Sequence, residues 1–164
     1  MDIAIDLSAV DTAEFGWMRA LVAPPPDEGE LVSGIQIATV LHDCAVDLVS
    51  ETFGVAGPES LSALDVRPIL SGLGATFARP MVSGKRVFSG STLGAMSEKS
   101  FSLVSGLWTG DDRRLIAQGT ASFVTIDVQS RRAVPVPTAV VDALRTLRPQ
   151  MTQSDRRHDH AERP

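Results

Sequence analysis

The sequence predicts an α+β domain, one long helix set against a curved antiparallel sheet, and three observations lead there. Residues 31–53 repeat their apolar side chains with a helical period. Residues 86–128 read instead as successive strands joined by tight turns, which favours antiparallel pairing over β-α-β units. The chain has 164 residues, 43% of them apolar, which suits a single domain with one sizeable core.

The elements come in this order. Ile3 to Ser8 partly alternate in polarity and predict a short strand. Asp11-Thr12-Ala13-Glu14 leads into an apolar stretch from Phe15 to Ala23, and Pro24-Pro25-Pro26-Asp27-Glu28-Gly29 must be a loop. In the 31–53 helix, Ile37, Cys44, Ala45 and Leu48 fall within about 60° of Leu41 at ~100° per residue. Asp43, Asp47 and Ser50 lie opposite, with Val46 as an apolar exception, and Gly54 is placed to cap the end. Residues 61–79 are interrupted apolar segments, and Val82-Ser83-Gly84-Lys85 makes a turn. Strands are expected at 86–95, 99–109 and 115–128, the last two separated by the hairpin signal Gly110-Asp111-Asp112. Val134-Pro135-Val136-Pro137 then precedes a short helix, Ala139 to Leu147. The domain is therefore expected to span 1–147, with a polar, disordered tail at 148–164.

Charge and composition remove several function classes. The net charge of −5 gives no general attraction to nucleic acid or to an anionic membrane. Cys44 stands alone, so no internal disulfide forms, and its apolar surroundings predict a buried, inert thiol. No Cys/His spacing fits a zinc site, and no metal or cofactor is expected. The first residues lack the basic and apolar regions of a signal peptide, and no apolar run approaches the ~20 residues of a membrane span. A cytoplasmic setting is the expectation. Lys85-Arg86, Arg113-Arg114 and Arg131-Arg132 are basic pairs able to meet phosphates or simply to solvate turns.

Several local patterns resemble the hotdog superfamily. Phe77-Ala78-Arg79-Pro80-Met81-Val82-Ser83-Gly84 is similar to its "F-x-R-P-hydrophobic-x-x-G" segment, where one strand ends and the next begins. Ala117 to Val124 resembles its last long strand, and Arg131 to Pro137 the exit after it. The 31–53 helix sits where the hotdog's central helix belongs. Val10-Asp11-Thr12-Ala13-Glu14 is similar to the "D-P-A-G" segment of 4-hydroxybenzoyl-CoA thioesterases, although Thr12 and Glu14 replace its proline and glycine. The resemblance implies a hotdog fold wrapped round one helix and hydrolysis of an acyl-CoA or acyl-carrier thioester. It also implies assembly as a homodimer or homotetramer with sites between subunits. An edge strand with unpaired amides supplies a physical motive for that pairing.

A thioester is already activated, so its hydrolysis needs one carboxylate and donors for the developing oxyanion. Backbone amides at a helix start can be those donors, and Ser33-Gly34 opens the helix, its glycine allowing close approach. The same pair also reads as an ordinary helix start. Asp11 maps onto the family's catalytic aspartate, with Glu14 as helper, while Asp11-x-x-Glu14 equally fits a capping box for a helix beginning at Thr12. Ile37 to Asp43 also resembles the "A-T-L-L-D" helix of phenylacetate-type thioesterases, making His42 and Asp43 the alternative acid–base candidates. Phe15 and Trp17 are candidates for an acyl pocket, and Arg79 for a ligand cation. Besides a hydrolase, the sequence allows a non-catalytic binder of acyl thioesters and a hotdog dehydratase pairing His42 with a carboxylate.

Overall fold

The computed structural model describes residues 17–55 and 65–147. In chain order the elements are β1 (Trp17–Val22), β2 (Leu31–Val32), α1 (Gly34–Val55), β3 (Val66–Phe77) and β4 (Met81–Val82). They continue as β5 (Arg86–Met96), β6 (Ser100–Thr109), β7 (Leu115–Asp127), β8 (Arg132–Ala133) and a closing helix, α2 (Thr138–Thr146). The main sheet runs β1-β5-β6-β7-β3 with every pair antiparallel, and β8 adds to β7. β2 and β4 form a separate two-stranded ribbon. Irregularities in the β3–β7, β5–β6 and β6–β7 pairings fit a sheet that bends around α1.

The helix enters the sheet's concave face because β7 offers it small residues. Ala117, Gly119 and Ala121 alternate inward, and Leu41 lies over Gly119. A Cβ at Gly119 would stand 3.0 Å from the Gly74 carbonyl oxygen and 3.2 Å from Leu41 Cδ1. Ile37, Leu41 and Val32 pack there with Met81, Leu107, Ile116 and Ala117. One turn on, Ala45, Leu48, Val49 and Phe53 meet Leu93, Leu103, Ala121 and the buried Val140 and Leu144 of α2. Phe101 stacks between Phe53 and Phe123, with ring centroids 6.4 and 5.3 Å away. Full burial of each such aliphatic or aromatic side chain is worth about 1.5–3 kcal/mol. The end of α2 is tied to β5 by the Thr92 hydroxyl, which donates to the Leu147 carbonyl at 2.9 Å.

The α+β class, the single long helix and the strands near 86–95, 99–109 and 115–128 are as the sequence predicts. Three expectations shift. The helix spans Gly34–Val55 rather than 31–53, because Leu31 and Val32 pair with Val82 and Met81 and Ser33 caps the first turn. Gly54 is consequently inside the helix and not its cap. The interrupted segments of 61–79 contain one 12-residue strand, β3, bulged between Leu70 and Gly72. The apolar run before the proline loop is the strand β1. The strand at 3–8, the capping box at Asp11 and the tail at 148–164 lie outside the described residues.

Candidate active site at the start of the central helix

Local hydrogen bonds fix the start of α1. The Ser33 amide donates to Gln36 Oε1 at 3.0 Å and the Gln36 amide donates to Ser33 Oγ at 3.3 Å, a reciprocal capping box. Gln36 Nε2 also donates to the Pro25 carbonyl at 2.8 Å, binding the proline loop to the helix. The Ser83 amide reaches the Glu30 carbonyl at 3.3 Å and the Gly84 amide reaches the Ala23 carbonyl at 3.1 Å. Gly84 has φ +69°, a conformation that suits glycine at this turn.

This framework leaves Gly34 and Ile35 as the first residues of the helix. Their amides have no intrahelical carbonyl to reach. No acidic side chain occupies the first turn, so the positive end of the helix dipole is not neutralised from within. The ring tip of Phe77 abuts this turn: Cζ, Cε2 and Cε1 lie 3.6, 3.8 and 3.9 Å from where a Gly34 Cβ would be. Phe77 is nevertheless 52% exposed, and Ile35 is 82% exposed. The result is a rigid turn with donors to spare and an aromatic wall beside it.

The other sequence candidates are more scattered. His42 Nδ1 and Asp43 Oδ1 are 3.0 Å apart on the solvent side of α1, Asp43 pointing away from the apolar face as its position predicts. Asp47 and Glu51 continue that stripe and both receive Arg19 of β1, Glu51 Oε1 at 3.1 Å. Arg79 is exposed, and its Nε donates to the Leu115 carbonyl at 2.7 Å. With the Ala78 and Arg79 amides on the Ile116 carbonyl, it pins the β3–β4 crossover to β7. Trp17 opens β1 in register with Ser91.

Asp11, Glu14 and Phe15 lie outside the described residues. The loop after β1 carries Asp27, Glu28 and Glu30, all exposed, beside the helix start. Sequence reading passed over these carboxylates; the available signal was their place between a strand and a Ser-x-x-Gln helix cap.

The basic pairs divide. Arg114 Nε bonds Asp112 at 2.7 Å and Arg113 lies 3.7 Å over the Phe88 ring. Lys85 and Arg86 line a groove of about 160 Å³ with Thr109, Gly110 and Asp111, below the ~300–1,000 Å³ of typical small-molecule sites. Among the described residues no three His, Cys, Asp or Glu side chains are grouped to hold a metal, and no helix is long and apolar enough to cross a membrane.

No family model and no curated protein matches the sequence. Solved structures do. A 1,4-dihydroxy-2-naphthoyl-CoA thioesterase from Synechocystis is similar with a TM-score of 0.66 at 18% identity, covering 77% of this chain and 93% of its own. A probable thioesterase from Escherichia coli gives 0.65 at 15% identity, covering 79% and 97%. A Staphylococcus aureus protein in complex with CoA gives 0.69 at 11% identity, covering 90% and 94%. A curved antiparallel sheet around one long helix, shared with the Synechocystis and Escherichia coli structures, gives this chain the hotdog fold.

Proposed function

We propose that this protein hydrolyses the thioester of an acyl-CoA or acyl-carrier substrate at the start of α1. The observation that carries the reading is a capped first turn whose Gly34 and Ile35 amides are free of intrahelical partners and unopposed by any first-turn carboxylate. Similar solved structures that are themselves thioesterases, or hold CoA, support it. A carboxylate removes a proton from water, whose oxygen attacks the carbonyl carbon. The oxygen left negative is held by the helix-start amides; the intermediate then collapses, the C–S bond breaks, and the thiolate leaves and takes up a proton. One such amide donor is worth about 2.7–4 kcal/mol in the transition state.

Asp11, assisted by Glu14, is the carboxylate assigned by resemblance, and Glu30 in the loop beside the helix start is its competitor. Thiol release from an acyl-CoA panel tests the reading. Turnover by wild type is expected, falling at least ~100-fold in Asp11→Asn if Asp11 is the base, general-base catalysis being worth about 10²–10⁴-fold. An unchanged Asp11→Asn beside an inactive Glu30→Gln would move the role to the loop. Tight acyl-CoA binding without turnover would make the protein a non-catalytic binder.

The long edge strand β3 supports assembly as a homodimer or homotetramer. It pairs with β7 on one side and exposes Ile69, Leu70 and Leu73. Pro68, which lacks an amide hydrogen, stands near one end and leaves the stretch from Ile69 to Leu73 to extend the sheet. The buried free thiol of Cys44 suits a reducing, cytoplasmic location. A dehydratase reading draws on the His42–Asp43 pair; an unchanged enoyl-CoA absorbance in the presence of protein excludes it for that substrate.

A further inference from the structure

We propose that Phe77 sets the bulk of the acyl group accepted at the helix start, and that this group is apolar and uncharged. The inference rests on reading the first turn of α1 as the thioester site. Phe77 closes β3 opposite Ala117, and all three atoms of its ring tip point at the backbone of Gly34. A thioester oxygen bound by the Gly34 and Ile35 amides at ~2.9 Å holds its carbonyl carbon within one bond of that oxygen. The carbon's acyl substituent then has the Phe77 ring as its neighbour, because the ring stands 3.6 Å from the first position beyond the Gly34 backbone.

The ring does not fill the core. It is 52% exposed, and Ile35, on the same turn, is 82% exposed. Two large apolar side chains thus stand exposed beside a turn that carries spare donors. An apolar acyl group laid between them removes that surface from water. A carboxylated acyl group would lose hydration against these two apolar side chains.

The test is kcat/KM for acetyl-, hexanoyl-, decanoyl-, benzoyl- and succinyl-CoA, using the full chain and its Phe77→Ala and Phe77→Trp variants. One or two methylenes of pocket space are worth about tenfold or more in discrimination. Phe77→Ala is therefore expected to raise the decanoyl-to-acetyl and benzoyl-to-acetyl ratios at least ~tenfold, and Phe77→Trp to lower them. Succinyl-CoA is expected to be the poorest substrate throughout. Phe77→Leu, checked by circular dichroism, replaces the alanine variant if that one does not fold. Ratios that stay the same in every folded variant, with wild type active, overturn the role of Phe77 and leave the thioesterase reading standing. A wild type that hydrolyses no member of the panel overturns both.

Discussion

At Cys44, burial decides the state of the thiol. Desolvation between α1 and the sheet pushes its pKa up. The thiol is expected to ignore a disulfide reagent such as DTNB at pH 8 and to react fully in guanidinium. Rapid labelling of the native protein would contradict the packing described for α1. Ser33 offers a second residue-scale test. Ser33→Ala removes one half of the capping box and is expected to lower stability by about 1 kcal/mol in urea titration. At the sheet's turns, Asp112 is held below its usual pKa by the Thr109 hydroxyl, and Asp127 by the Ser130 hydroxyl. A carboxylate depressed in the folded state adds stability above the unfolded pKa of 3.8 and loses it as pH falls through the folded value. Replacing both by Asn is therefore expected to flatten the loss of stability below about pH 4. Equal acid limbs for wild type and variant would reject the two turns as contributors.

At the scale of elements, helix and sheet meet closely because one strand alternates small residues. Gly119 admits Leu41, and the Gly74 carbonyl already stands 3.0 Å from the missing Cβ. Gly119→Val forces a side chain against the Gly74 backbone and Leu41 and is expected to cost about 1–3 kcal/mol, seen as a lower thermal midpoint. A neutral outcome would mean that α1 sits further from β7 than described. The long helix was legible in the sequence because Ile37, Leu41, Cys44, Ala45 and Leu48 recur on one face, and those residues are buried. Its first residues were not legible. Leu31 and Val32 are apolar and adjoin the helix, but at ~100° per residue they fall about 80° and 180° from Leu41, and their pairing with β4 makes them a strand. β3 was obscured for a related reason: the bulge at Leu70–Gly72 breaks the two-residue alternation by which strands are recognised.

At the scale of the whole molecule, the open edge of β3 carries the prediction. Leu73→Lys places a charge amid the exposed apolar residues of that strand, as natural edges do to stay single. Wild type is expected to elute as a dimer or larger in light-scattering chromatography, and the variant as a monomer. A monomeric wild type at micromolar concentration would remove the edge strand as an interface. Periodicity, turn residues and the Phe77-to-Gly84 pattern suffice, from the sequence alone, for the class, the central helix and the order of the late strands. Those features are local, and side-chain spacing encodes them directly. The tertiary structure alone decided that Phe77 meets Gly34 across 43 positions of chain, that the loop with Asp27, Glu28 and Glu30 flanks the helix start, and that Arg79 Nε donates to the Leu115 carbonyl. Such contacts depend on how far the sheet curls and where its bulges fall, and neither leaves a periodic mark on the sequence.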